Sequence, residues 1–261
     1  MPTMNARDPS GLRTTEDRRA AELARDYDAM VKAVLQRVAA GEITDPTLIS
    51  EIVAEECARY STLQQAKVIK WAQDSASKAT IRAVQQVKRA GVTVPVTLGP
   101  QPIPEDVRKV LTANITNEIE SLSTDARKVI VRELTDGITA GEGMDDLRRR
   151  LQSATAMDKN RADLIARTET MDAFNLAARS TYKKHGAIGV RIFTAQDERR
   201  CKYCGAMHGK VLDITDPRRP PFHPRCRCVE EPVFSEEEAA EDWEHFVSFE
   251  AIEAGIIKVM A

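Results

Sequence analysis

A chain of 261 residues can hold one large domain or two ordinary ones and bury a core unaided, so stability alone demands no metal. A composition 42% hydrophobic, 30% charged and only 5% aromatic suits a mainly helical globular protein, and no apolar run approaches the roughly 20 residues that span a bilayer. The formal net charge of −2 conceals an asymmetry: residues 183–228 carry 11 Lys/Arg against four acids, whereas residues 229–261 carry ten acids and only Lys258.

The opening "MPTMNARDPSGLRTTEDRR" has no apolar core of the kind a secretory signal carries, so the protein is expected to stay in a reducing compartment, where clustered thiols favour metal over disulfides. Leu23, Tyr27, Met30, Val31, Val34, Leu35 and Val38 recur at helical spacing and predict a helix over 14–40, with Thr14 and Asp17 as a capping box and Gly41 as its stop. Asp45 and Pro46 supply the cap and first turn of a second helix. Residues 47–90 contain no Gly or Pro, enough for roughly 66 Å of helix, although "DSASKAT" could interrupt it. Cys57 reads as a small buried hydrophobe.

"GVTVPVTLGPQPIPED" reads as a linker. Shorter helices are expected over 104–122, 124–134 and, after turns at Gly137, Gly141 and Gly143, over 144–153; a longer one follows over 158–185, closed by Gly186. "GVRIFTA", "GKVLDI" and "CVEEPVF" are short and rich in β-branched residues, which predicts three small strands. Ser235 and the acids after it start a last helix. The organisation expected is an elongated helical domain over 1–92, a Pro-rich linker over 93–104, a compact helical and metal-binding domain over 105–234 and an acidic helix or tail over 235–261. In class the protein is mainly α with a small β/zinc-binding subdomain.

Four of the five cysteines and two of the four histidines fall within 201–228. A C-x2-C pair, Cys201 and Cys204, lets two thiolates reach one ion from a tight turn that Gly205 eases, and "HPRCRC" offers His223, Cys226 and Cys228. Zinc, whose usual ligands are thiolate and imidazole, fits this donor set. The preferred ligands are Cys201, Cys204, His223 and Cys226, with Cys228 as the substitute, because Cys226 and Cys228 point to opposite faces of a regular strand. Five donors competing for four places favour a closed, structural site over one that keeps a position open for water. Neither the deaminase pattern H-x-E with P-C-x-x-C nor the G-x-S-x-G nucleophile pattern is present, residues 176–261 contain no Asn for a His-metal nuclease, and no catalytic residue is assigned.

On the helix before the clasp, Leu164, Thr168, Met171, Asn175, Ala178 and Tyr182 share one stripe with Arg167 at its edge, and Glu169 lies round the helix from it. Inward Arg and Asn cost desolvation unless paired. Arg167, Glu169, Asn175 and Asp197 are therefore read as a structural polar network, Arg167 or Asn175 bonding the clasp's backbone or Asp197. Lys183, Lys184, Arg199, Arg200, Lys202, Arg218, Arg219, Arg225 and Arg227 are candidates for contact with DNA phosphates or an acidic partner surface.

The order of "LTDGITAGEGMDDLRRRLQ", Ala166-Arg167-Thr168-Glu169, Asn175, Asp197 with Arg199 or Arg200, Cys201-x2-Cys204, Gly209 and Pro221-Phe222-His223-Pro224-x-Cys226-Arg227-Cys228 resembles the C-terminal domain of the phage Mu F-like minor head proteins, the phage head morphogenesis family, over about residues 125–233. The resemblance implies a minor head protein of a tailed bacteriophage, made in the host cytoplasm and carried in the virion near the portal. It implies the portal protein, the major capsid protein or both as partners, with a part in head assembly and in DNA packaging or ejection. No membrane span and no small-molecule substrate is expected. The competing readings are a zinc-dependent nucleic-acid enzyme such as a packaging-linked nuclease, and a zinc-ribbon DNA-binding module unconnected with capsids.

Overall fold

The protein is described by a computed structural model in which residues 8–42, 46–94, 104–195, 197 and 199–243 are placed. Asp45, most of the expected linker (95–103), Glu198 and the apolar residues after Trp243 lie outside the described residues. The order of elements is α1 (Arg13–Arg37), a π-helical turn (Val38–Glu42), α2 (Pro46–Arg89), α3 (Glu105–Thr139), α4 (Met144–Ala154), α5 (Ala156–Lys184), β1 (Gly189–Phe193), α6 (Lys202–Met207), β2 (Val211–Asp213), β3 (Val229–Val233) and α7 (Glu236–Trp243). The fold is mainly α with one small sheet, the class the composition and periodicity predict. No helix among the described residues is long and apolar enough to cross a membrane.

The cap of α1 and the continuity of α3 differ from what the sequence suggests. The start of α1 is set by Asp8, whose carboxylate accepts from Gly11 N at 2.9 Å and Arg13 N at 3.3 Å, rather than by Thr14 and Asp17. The stretch "DSASKAT" does not interrupt α2; Ser75 and Thr80 are buried there, and their hydroxyls are satisfied within the helix by the carbonyls of Trp71 and Ala76 one turn back. The two helices expected over 104–122 and 124–134 are one helix, α3; Ser123, in place of a break, donates its hydroxyl to Cys57 O at 3.0 Å. Gly137 lies inside α3 and makes no turn; a Cβ there would come within 2.5 Å of Leu147 Cδ2. The turn between α3 and α4 belongs to Gly141, with φ of +72°.

The chain divides into two compact units built from interleaved segments. One comprises Thr15–Lys70 and Thr112–Glu169. Its interior holds Leu23, Tyr27, Val34, Ile49, Val53, Ile115, Ile119, Leu122, Ile130, Leu134 and Leu151, all fully buried, together with the nearly buried Cys57. Ion pairs tie its helices: Lys67 to Glu22 at 2.9 Å and to Asp26, Arg161 to Asp125, and Arg150 to Glu133 and Glu142.

The other unit comprises Met1–Thr14, Trp71–Leu111 and Thr170–Ala261. Here α2 presents a stripe of buried small residues, Ala72, Ala76, Ala79, Ala83 and Val87, spaced three or four apart as a close helix contact requires. The three strands form an antiparallel sheet in the order β2-β1-β3, with Val190 opposite both Leu212 and Pro232. Pro232 is tolerated because β3 is an edge strand. Gly189 is demanded by crowding, since a Cβ there would meet Leu212 O at 2.9 Å. Val190, Ile192, Val229 and Val233 are completely buried, and Val211, Val233 and Ala239 form an apolar cluster beneath the start of α7, capped by Ser235 through Glu238 N at 3.0 Å.

Candidate metal centre

The first half of the clasp is a helix start. Cys201 is the N-cap of α6, its Sγ accepting from Cys204 N at 3.3 Å, while Gly205 N donates to Cys201 O at 2.9 Å. The C-x2-C spacing thus places both sulfurs on one turn through ordinary helical capping. Gly205 lies within α6, so it supplies no special turn; the left-handed glycine is Gly209, at φ of +79° before β2. The second half is a tight turn closed by Cys226 N donating to His223 O at 3.1 Å, with Arg225 held at φ of +62°.

The two halves converge. His223 Nε2 lies 3.3 Å from Cys201 Sγ and 3.0 Å from Cys204 Sγ, and Cys204 Sγ lies 3.8 Å from Cys226 Sγ. The donor atoms form two triads, Cys201–Cys204–His223 and Cys204–Cys226–Cys228, each within 4.8 Å, with Cys204 in both. Cys204, Cys226 and Cys228 are buried, and Cys201 lies at the solvent edge. His223 Nδ1 donates to Pro224 O at 2.8 Å, which leaves the Nε2 lone pair facing the sulfurs, the tautomer a metal ligand needs.

Thiolate and imidazole are the usual zinc donors, and each triad is compact enough to share one ion. A Zn–S bond of about 2.3 Å puts two bound sulfurs about 3.8 Å apart, the separation of Cys204 and Cys226. Without an ion the sulfurs share protons unequally. Hydrogen bonds from Cys204 and Cys228 push the Cys226 thiol down, while Cys226 holds Cys204 up and Cys204 holds Cys228 up. One thiolate among three sulfurs is what a low-dielectric pocket tolerates, and a divalent cation is what would let the others ionise.

Around the clasp runs a polar scaffold that the sequence reading identified only in part. Asn175, completely buried, donates from Nδ2 to Met171 O and to Cys228 O, both at 3.0 Å. One turn on, Arg179 grips Glu230 with Nε at 2.9 Å and Nη2 at 2.5 Å, and gives Nη1 to Asp216 O. Tyr182 donates to Gln86 Oε1 at 2.6 Å and lies 3.1 Å from Glu230 O. Asp172 pairs with Arg219. Asp172, Asn175, Arg179 and Tyr182 therefore form a stripe at i, i+3, i+7 and i+10 on α5 that holds the clasp loops and β3. Glu230 is wholly buried, and desolvation raises its pKa against the pull of Arg179; removing one partner from such a pair leaves a buried charge and costs about 3–5 kcal/mol. Asp197 accepts both arms of Arg227, at 2.5 and 2.6 Å, and this pairing holds its carboxyl down to about 2.

Arg167 pairs with Asp163 and Asp17, and Glu169 is buried; both belong to the unit of Thr15–Lys70 and Thr112–Glu169. Arg218, Arg219 and Arg227 are engaged by Asp216, Asp172 and Asp197. Lys183, Lys184, Arg199, Arg200, Lys202 and Arg225 are exposed. Arg179 and Glu230 escaped the sequence reading although a signal was present: a charged residue in the Ala-rich run near the end of a helix, and an acid beside Val229 in a short strand that begins buried.

Residues 128–231, from the second half of α3 into β3, match the model of the family described as Phage Mu protein F like protein. Neither the curated proteins nor the solved structures give a match. The matched stretch contains all five donors of the candidate metal centre and the helix that carries the polar stripe, and the chain is similar to this family over somewhat less than half of its length.

Proposed function

We propose that the chain is a minor, structural component of a tailed-phage head, acting near the portal in head assembly and in the packaging or ejection of DNA, with zinc as a folding element. The observation that carries the reading is the gathering of five soft donors into two triads that share Cys204, within the stretch that matches the Phage Mu F-like family, backed by the α5 stripe. Such a donor set encloses an ion with protein ligands and holds loops together, the arrangement of structural zinc. Asp197, the described acid that precedes Cys201 in sequence, is committed to Arg227 and so is a poor general base. Partners of this reading are the portal protein, the major capsid protein or both. The exposed Lys183, Lys184, Arg199, Arg200, Lys202 and Arg225 supply a positive face for DNA phosphates or for an acidic surface of those partners.

The test is co-expression of the chain with the portal protein encoded in the same genome, followed by purification through a tag on the portal. Stoichiometric recovery of the zinc-loaded chain is expected, along with heads that lose DNA content when the chain is omitted. Normal filled heads without it, or sequence-independent cleavage of DNA by the purified chain in Mg²⁺, Mn²⁺ or Zn²⁺, would overturn the proposal. The DNA contact is read separately: a log–log dependence of affinity on salt with a slope near zero means no phosphates are touched.

A further inference from the structure

Beside the donors of the clasp stand two aromatic side chains, Tyr203 next to Cys204 on α6 and Phe222 next to His223. Their rings meet edge to face, with centroids 5.5 Å apart and planes at 69°. Both residues are half-buried, so the pair reaches the surface. The two stretches that carry them also meet at Cys201 and His223, 3.3 Å apart, which brings their cations together. Arg199, Arg200, Lys202 and Arg225 are exposed there. Arg200 lies against α6, 3.6 Å from the position a Cβ on Gly205 would take. Residues 199–212 and 217–229 contain no acid, and the described acids that precede them, Asp197 and Asp216, are bonded to Arg227 and Arg218.

Resting on the DNA contact proposed above, we infer that Tyr203 and Phe222 form a stacking platform, flanked by Arg199, Arg200, Lys202 and Arg225, for a nucleic-acid strand with unpaired bases. Cations alone attract the phosphates of any nucleic acid, and any acidic surface, without telling them apart. The aromatic pair makes the distinction, because a base can lay its π face on a ring. Only an unpaired base has that face to offer; in a duplex both faces of each base are covered by its neighbours. Stacking tolerates every base, so the surface holds a strand without reading its sequence. Tyr203 and Phe222 adjoin Cys204 and His223, two donors of one triad, and an ion bound there would fix the spacing of the rings.

The experiment titrates the zinc-loaded full chain into fluorescently labelled oligo(dT) and into a labelled duplex of the same length, with anisotropy giving both affinities across a salt series. The single strand is expected to bind at least about tenfold more tightly than the duplex. Tyr203→Leu keeps apolar bulk against Phe222 but removes the ring face. It should weaken oligo(dT) binding by about fivefold or more and duplex binding by less than about twofold, while Tyr203→Phe should match wild type. Lys202→Gln should weaken both ligands alike and flatten the salt dependence. Zinc content and circular dichroism check each variant. Photocrosslinking of wild type to a strand carrying iodouracil, mapped by mass spectrometry, locates the contact without any substitution; crosslinks at Tyr203 or Phe222 are expected. Equal affinity for strand and duplex overturns the inference and leaves the phosphate contact standing. So does an undiminished affinity of Tyr203→Leu for oligo(dT), or crosslinks confined to residues outside 199–225. Binding to neither ligand overturns the DNA contact itself and gives this face to an acidic protein surface.

Discussion

Arg227 stands between two cysteines of the clasp, and its guanidinium reaches back to Asp197, a residue on the loop that leads into the other two. A bidentate pair of this kind fixes the approach of one half of the clasp to the other, and it has a pH signature. A carboxyl with a lower pKa in the folded than in the unfolded state contributes its full stability above the unfolded value, near 3.9, and gives it up as the pH falls through the folded value; for Asp197 that value is about 2. Asp197→Asn should therefore cost on the order of 2 kcal/mol at neutral pH, and the gap from wild type should narrow as the pH drops below about 4. Urea midpoints of the two proteins measured across that range decide it. A gap that stays constant down to the acid limit means that the pair with Arg227 is not what Asp197 contributes.

Among the elements, α5 does most of the organising, because Asp172, Asn175, Arg179 and Tyr182 lie on one face and engage both the loop before the clasp and the strand after it. The existence of α5 and of the three strands was legible from apolar period and from Gly and Pro punctuation, and so was the gathering of cysteines. The partners of the polar stripe were not, because pairing across 37 to 96 residues depends on how the chain returns, which local pattern does not encode. The continuity of α3 was missed for a related reason: Ser123 and Thr124 read as a break until the Ser123 hydroxyl is seen donating to Cys57 O. Gly137 shows the same blindness, looking like a turn residue in sequence and serving in the fold to let α4 approach. Alanine there gains about 1 kcal/mol of helix propensity but forces Leu147, itself buried, out of position. Overpacking of this kind costs about 1–3 kcal/mol, so Gly137→Ala should destabilise on balance by roughly 1 kcal/mol, and a raised melting temperature for that variant would show that the side chain of Leu147 yields freely.

For the molecule as a whole, the two units differ in what they can hold without help. The unit of α1, α3 and α4 buries long apolar side chains along several turns of each helix. The sheet of the other unit has one three-residue strand and two of five, too little paired backbone to stand by itself. A structural zinc contributes an apparent 10–16 kcal/mol to folding at neutral pH, as large as the whole stability of an ordinary domain at about 5–15 kcal/mol. Removing the ion from the proposed site should accordingly release β1, β2, β3 and the clasp. Hydrogen exchange of the zinc-loaded chain before and after treatment with a strong chelator reads this segment by segment. Amides of 189–193, 211–213 and 229–233 should lose protection, those of 16–37 and 115–134 should keep it, and re-addition of zinc should restore the first set. Equal protection with and without chelator across the three strands would mean that the α5 stripe and the apolar face of the sheet suffice, and that the cysteines of the clasp do not fold the protein through an ion.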